Sequence, residues 1–306
     1  MNMHLLNELQ SYPGNPLVIL DFRVLSWKIY NAMQSHWGES IDQNEGTDKN
    51  ALTTWVRASW ATLINRGPAM LPRQGYTLVI ADDNGAVIPY WRKTELAKAN
   101  YPEYKGQRPQ KTNRFLSVAQ LGLEYIEKHG YHYISVPAYE ADDIAGAAVH
   151  FKRLAQAILR CQDLKIPIKV EKLAERPMLL YTVDTDWLQL VGDGVWWCNT
   201  GPWEPRVRGE KEAIEYTKKR LKATISCAQE IVEIKMRQGD KSDNLPPGSP
   251  RWAIDLMNPM PKHHLIHQPA YNKLVAALLD ERQSTKPENF DKALKWLSHM
   301  SLPTVF

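Results

Sequence analysis

The acidic residues of this chain are gathered at particular points along it. Asp21 closes the apolar run Leu17–Phe22, and Asp82 and Asp83 follow Thr77–Ala81. Glu140, Asp142 and Asp143 follow Tyr133–Val136, Asp184 and Asp186 follow Met178–Val183, and Asp240 and Asp243 stand in a later loop. Carboxylates brought together repel one another unless something positive sits among them. Hard oxygen donors of this kind suit magnesium or manganese. Two such ions about 4 Å apart orient a water, lower its pKa and stabilise the leaving oxygen of a phosphodiester. Each group also has a plainer reading. Asp21 could cap a following helix, and Asp82–Asp83 could be a turn. Glu140-Ala-Asp-Asp143 could complement a helix dipole, and Gly239-Asp-Lys-Ser-Asp-Asn244 could be an Asx-turn entry to a helix. In a helix, residues 140 and 143 face one way and 142 another. Asp184-Thr-Asp186, read as extended, points both carboxylates one way.

The elements that must position these groups follow from the same pattern. The four apolar runs are short and aliphatic or β-branched, as buried strands are, and Trp196–Trp197 continues them as an edge strand. Between them lie segments of helical spacing: Trp55, Ser59, Thr62 and Leu63 on one face, Leu116–Lys128, and the Ala-rich Tyr139–Leu159. Strands alternating with helices predict an α/β fold, a mostly parallel sheet with helices on both faces. Parallel strands end on one edge, where ligands bind, so the carboxylates are expected in one cleft. From Gly209 to about Arg237 the pattern is helical, with further helices at Asn272–Arg282 and Asn289–Ser298. Pro259, Pro261 and Pro269 punctuate a loop, and His263, His264 and His267 read as surface residues of it. A soft boundary near residue 205 divides an α/β part, 1–205, from a mainly helical part, 206–306.

At 306 residues, with 43% hydrophobic and 24% charged side chains, the chain is long enough for a sizeable core and too apolar for general disorder. Three cysteines are too few and scattered for a disulfide framework or a zinc site. No run reaches the length of a membrane span and no signal peptide is evident, which predicts a soluble cytoplasmic protein. The net charge of +4 conceals local separation of sign. Arg92, Lys93, Lys98, Lys105, Arg108, Lys111 and Arg114 are interleaved with Tyr90, Trp91, Tyr101 and Tyr104, a pattern in which cations hold phosphates and rings stack on unpaired bases. A second basic stretch, Arg206–Lys222, reads as a solvated helix face.

With these residues in view, the chain resembles the flap endonuclease and 5′-nuclease family, most nearly its phage branch of 5′→3′ exonucleases, often called phage ribonuclease H. The matching stretches are Val18-Ile-Leu-Asp-Phe22, Leu78-Val-Ile-Ala-Asp82, Tyr90-Trp-Arg92, Glu103-Tyr-Lys-Gly-Gln-Arg108, Glu140-Ala-Asp-Asp143, Val183-Asp-Thr-Asp-Trp-Leu188 and Gly239-Asp-Lys-Ser-Asp-Asn244. They span about three quarters of the chain in family order. The resemblance implies a PIN-like 5′-nuclease fold with an arch segment at about 88–115. It implies two Mg²⁺ ions, replaceable by Mn²⁺. Asp21, Asp82 (or its neighbour Asp83), Glu140 and Asp142 would serve the first ion. Asp143, Asp184, Asp186, Asp240 and Asp243 would serve the second. Lys28, Arg92 and Lys105 would act on the scissile phosphate, and Tyr104, Arg108, Lys111 and Arg114 would bind nucleic acid. Implied too are a monomer acting on DNA or RNA–DNA hybrid with a 5′ end or flap, replication proteins as partners, and host cytoplasm where the gene is a phage's. Leu245-Pro-Pro-Gly-Ser-Pro250 departs from the family's Gly-x-Gly hairpin, which binds duplex backbone and potassium. A catalytically silent nucleic-acid-binding relative and a PIN-type ribonuclease are the alternatives. The retained carboxylates oppose the first, and the arch and the Gly-Asp-x-x-Asp loop oppose the second.

Overall fold

The computed structural model describes residues 15–37, 49–66, 76–85, 87–101, 103–108, 111–160, 168–199, 206–258 and 268–280. The expected helix at 289–298, Cys161 and the three histidines at 263–267 lie outside them. The strands are β1 (Leu17–Asp21), β2 (Thr77–Asp82), β3 (His132–Ser135), β4 (Met178–Tyr181), β5 (Val195–Asn199) and β6 (Arg206–Arg208). They form one sheet of order β3-β2-β1-β4-β5-β6, parallel except for β6. β1 is buried along its whole length, as a central parallel strand should be. The chain leaves β1 toward β2 on one side and later returns to β4 on the other. That reversal is a topological switch point, where open α/β sheets place their ligands. Asp21, the last residue of β1, stands at it. Trp196 and Trp197 lie inside the sheet and not at its edge, because β6 adds an antiparallel strand beyond them.

Alternation along the strands feeds two cores. Leu17, Ile19, Val79, Ala81, Leu180 and Trp197 face one side. There they meet α5 (Ala141–Leu159), α6 (Ile168–Glu175) and α10 (Gln268–Leu279). Val18, Leu20, Leu78, Ile80, Leu179 and Tyr181 face the other. On that side pack α1 (Phe22–Trp37), α2 (Lys49–Arg66) and α4 (Asn113–Lys128). In α2 the buried stripe is Val56, Trp60 and Ile64; Trp55 and Leu63 only flank it and Thr62 is exposed. The face is set by Trp60, whose ring stacks on Phe22 and whose Nε1–H donates to the Val118 carbonyl.

The arch begins with α3 (Trp91–Lys98). The stretch of helical pattern from Gly209 to about Arg237 holds two helices, α7 (Glu210–Leu221) and α8 (Glu230–Gln238), followed by the short α9 (Arg251–Ile254). Lys222, left-handed at φ 50, ends α7, and its last turn carries Lys218, Lys219 and Arg220. Ala213, Ile231, Ile234 and Leu274 share a core with β1, so packing crosses residue 205. Pro269 falls in the first turn of α10, where its missing N–H costs nothing. Among the described residues no helix is long and apolar enough to cross a membrane.

Helix α5, which carries the Glu140–Asp143 group, approaches the 251–258 segment closely at Gly146. A Cβ there would lie 2.2 Å from the Leu256 carbonyl oxygen. Helix propensity alone favours alanine over glycine by about 1 kcal/mol. The clash with backbone reverses the sign, at about 1–3 kcal/mol for overpacking. Gly146→Ala is therefore expected to lower Tm in calorimetry. A stabilised variant would contradict this packing.

Candidate metal centre

Three carboxylates form the floor of the cleft. Asp21 does cap α1, its Oδ1 accepting from Val24 N–H at 3.1 Å, while the buried Thr182 hydroxyl donates to its Oδ2 at 3.1 Å. Thr182 Oγ1 also accepts from Asp184 N–H, and Asp184 Oδ1 accepts from Asp186 N–H at 2.8 Å. Asp184-Thr-Asp186 is thus a turn leading into a 3₁₀ helix, Asp186–Leu190, and not an extended stretch. Asp142 accepts from Trp187 Nε1–H at 2.7 Å. None of the three has an ion pair among the described residues. Burial, reinforced by Asp83 and Asp184, pushes the Asp21 carboxyl up to about 8. Burial and Asp186 raise Asp184 to about 7. Burial holds Asp142 well above the usual carboxylate range, with Asp184 among the charges adding to it and Lys105 opposing.

Around this floor Glu140, Asp143, Asp243, Asp186, Asp240 and Asp82 are each paired with a cation. Arg92, 1% exposed at its side chain, reaches Glu140 at 3.1 Å and Asp143 at 2.7 Å. Residues 140 and 143 do face one way, and 142 another. Asp143 also accepts from Trp91 Nε1–H and, at 3.0 Å, from Glu140 N–H. Lys105 bonds Glu140 and lies 3.7 Å from Asp243, which Arg108 reaches at 2.6 Å. Lys235 bridges Asp186 and Asp240. Burial opposes ionisation of Glu140 and Asp240, but Lys105 and Arg92 on the one and Lys235 on the other hold both below their ordinary values. Arg23 grips Asp82 at 2.6 Å, Tyr133 bonds the same carboxylate, and burial raises Asp82 to about 6. Asp83 instead accepts from Ala141 N–H at 2.9 Å, at the start of α5, and it is Asp83 whose charge bears most on Asp21.

The loop carrying Asp240 and Asp243 is not a helix entry. Asp240 and Leu245 pair by two backbone bonds of 2.7 and 2.8 Å, closing a tight turn. Gly239 is left-handed (φ 78), and a Cβ on it would meet the Leu245 oxygen at 2.6 Å, so only glycine fits. The loop docks on the arch. Lys105 N–H donates to the Asp243 carbonyl at 3.0 Å, Asn244 Nδ2–H to Glu103, and Gln107 Nε2–H to Lys241 and Ser242.

The arch residues and Lys28 are placed as follows. Tyr104 cannot stack on a base from where it stands. It is 3% exposed, and its hydroxyl lies 3.1 Å from Glu140 and 3.0 Å from Asp243. Arg92 is buried between Glu140 and Asp143, which take its guanidinium. Lys28 sits beside Cys198 in partly buried surroundings that lower its pKa. Arg108 and Lys111 are open to solvent on the arch side, and Arg114 is half-buried. Burial and nearby Arg23 lower Lys111, while Asp83 and Asp82 oppose. Arg23, Thr182, Trp187, Tyr133 and Lys235 were not anticipated. Arg23, two residues beyond Asp21, carried the nearest thing to a signal.

Among the described residues no three His, Cys, Asp or Glu side chains converge closely enough to cage an ion. The donors are nevertheless of the right kind. Asp21, Asp142 and Asp184 are hard oxygens raised by burial and by neighbouring carboxylates and without an ion pair among the described residues, a setting that a hard divalent cation would suit. A carboxyl whose pKa is raised on folding adds stability that is complete below the unfolded value of about 4 and is lost as pH rises through the folded value. For Asp184 that window runs from about 4 to about 7. At pH 8 without divalent ions, Asp184→Asn keeps the Asx-turn acceptor and is expected to gain on the order of 1–2 kcal/mol, a few degrees in Tm. Magnesium should raise wild-type Tm more at pH 8 than at pH 5.5 and raise the variant's less. A variant less stable than wild type at pH 8, or a pH-independent metal response, would refute the assignment.

Comparison with known proteins follows the same lines. No curated protein matches the sequence. Among solved structures, a bacteriophage T5 flap endonuclease in a complex with DNA and metal ions is 15% identical. It covers 92% of this chain and 93% of its own, with a TM-score of 0.45. A T5 5′-exonuclease with divalent zinc ions bound is 15% identical over the same shares, with a TM-score of 0.44. Likeness at that level says nothing further about this chain. Residues 16–226, more than two thirds of the sequence, match the family described as 5′-3′ exonuclease, N-terminal resolvase-like domain. The chain belongs to that 5′-3′ exonuclease family.

Proposed function

We propose that this chain is a divalent-metal-dependent 5′ nuclease that hydrolyses phosphodiester bonds near 5′ ends or junctions of branched DNA or RNA–DNA. The observation that carries this reading is the set of buried Asp21 and half-buried Asp142 and Asp184, all raised above the ordinary carboxylate range and none of them ion-paired among the described residues, beside a rim of lysines and arginines. Asp21, Asp83, Glu140 and Asp142 would hold one ion, and Asp184, Asp186, Asp240 and Asp243 a second. Asp83 replaces Asp82 in this set, since Arg23 and Tyr133 occupy the Asp82 carboxylate. Asp143, ion-paired as Glu140, Asp186, Asp240 and Asp243 are, belongs with them to the outer part of the site. Magnesium or manganese bound there would supply Lewis acidity, acidifying a water and stabilising the leaving oxygen.

The chain's own residues orient and neutralise. Thr182 fixes Asp21 and Trp187 fixes Asp142. Arg92 keeps Glu140 ionised and aligned with Asp143, as a positioning residue. Arg108 and Lys111, open to solvent on the arch side, would pair with the phosphates of an approaching strand, with Lys105 behind them on Glu140. This electrostatic contribution should weaken steeply with salt.

The test is a panel of 5′-labelled DNA flap, RNA–DNA hybrid and structured RNA with Mg²⁺, with and without chelator. Cleavage of the flap or hybrid, abolished by chelator, is expected. Asp142→Asn should reduce cleavage by at least about 100-fold, in line with loss of transition-state charge stabilisation, while flap affinity stays within a few-fold. Cleavage of the structured RNA alone, or full activity of the variant, would overturn the proposal.

A further inference from the structure

Two residues between β2 and α3, four and five positions beyond Asp83, present aliphatic side chains to solvent. Val87 is 90% exposed and Ile88 51%. Both follow Asp83 closely in the chain. Val183, 44% exposed, stands next to Asp184 on the other flank of β1. The remaining exposed large aliphatics among the described residues are only Leu116, on α4, and Ile168, on α6. The loop is held at both feet. Asn84 N–H donates to the Tyr139 carbonyl at 3.0 Å, Ala138 N–H to the Asn84 carbonyl at 2.8 Å, and Trp91 N–H to the Ala138 carbonyl at 2.9 Å. Asn84 and Trp91, which flank the apolar pair in the chain, are thus tied to the segment that leads into α5.

Exposed aliphatic side chains in such a place need a partner with an apolar face. Lys111 and Arg108 on the neighbouring arch select a polyanion. Nucleic acid combines both properties: charged phosphates, and bases whose flat faces are exposed wherever the strand is unpaired. We infer that Val87 and Ile88, with Val183 opposite, contact the face of an unpaired base next to the phosphate to be cut. They would thereby favour a single-stranded 5′ segment at the cleft. This rests on the nuclease reading for its substrate, but it concerns binding and is testable without turnover.

The test is the double variant Val87→Ser/Ile88→Ser. Affinity for a duplex with a 5′ single-stranded overhang is read by fluorescence anisotropy in Ca²⁺, for an intact overhang and for one carrying abasic sites beside the junction. Tm should stay within about a degree of wild type, since surface changes seldom exceed a few tenths of a kcal/mol. Wild type should lose about 5–10-fold in affinity on the abasic overhang, a modest share of a base-stacking contact. The variant should lose the same factor on the intact overhang and nothing more on the abasic one. Unchanged affinity of the variant, as expected if the tip instead meets a protein partner, would overturn the inference. So would losses that multiply on combining variant and abasic site. If wild type binds with this pattern but never cleaves, the catalytic reading fails and the base contact stands.

Discussion

Like charges crowded into a low-dielectric space are the constraint on which this molecule turns. A parallel sheet delivers the ends of β1, β2 and β4, and the start of α5, to one edge. Each of those ends carries a carboxylate. Left alone, such a cluster would repel itself or protonate. The fold answers in two ways. An outer shell of Glu140, Asp143, Asp186, Asp240 and Asp243 is neutralised by Arg92, Lys105, Arg108 and Lys235. An inner group, Asp21, Asp142 and Asp184, makes no ion pair among the described residues, and its carboxyls are held above their ordinary values instead. Breaking one of the buried pairs would strand a charge, which costs several kcal/mol, and the shell is accordingly rigid.

The inner group is aimed by neutral donors. Thr182, Trp187 and the backbone amides of Val24 and Asp186 each hold one oxygen of a floor carboxylate. A neutral donor orients a carboxylate without cancelling its charge. The division of labour is physical: ion pairs where the charge must be silenced, hydroxyl, indole and amide donors where it must remain.

Much of this was legible in the sequence. An aliphatic run that stops on an aspartate announces both a buried strand and a group at its carboxyl end, so the sheet and the acidic cleft could be read together. What could not be read was which side chains face inward. In α2 the apolar Trp55 and Leu63 compete with Val56, Trp60 and Ile64 for the buried stripe, and only the stack of Trp60 on Phe22 decides. Tyr104 and Arg92 look like surface groups of a basic, aromatic segment. Their burial comes from partners 36 to 139 residues away in the chain. Lys235 carried no local sign of its role, because its partners belong to a different turn. Asp82 and Asp83 are adjacent and chemically identical, and the tie is broken only by where Arg23 and the first amide of α5 sit.

The clasp between the arch turn and the 239–245 loop has a consequence for how the molecule comes into being. It joins segments more than 130 residues apart in sequence. Closing so long a loop carries an entropic cost that must be met before its contacts return anything. Strands β1 to β5 are complete by Asn199, whereas Lys235 and the turn that docks on Lys105 come later in the chain. During synthesis, the sheet therefore precedes the groups that quiet its acidic edge. The nascent protein passes through a stage in which Asp186 lacks its lysine and the arch has no loop to rest on. Completion of the acidic edge belongs to the last third of the chain.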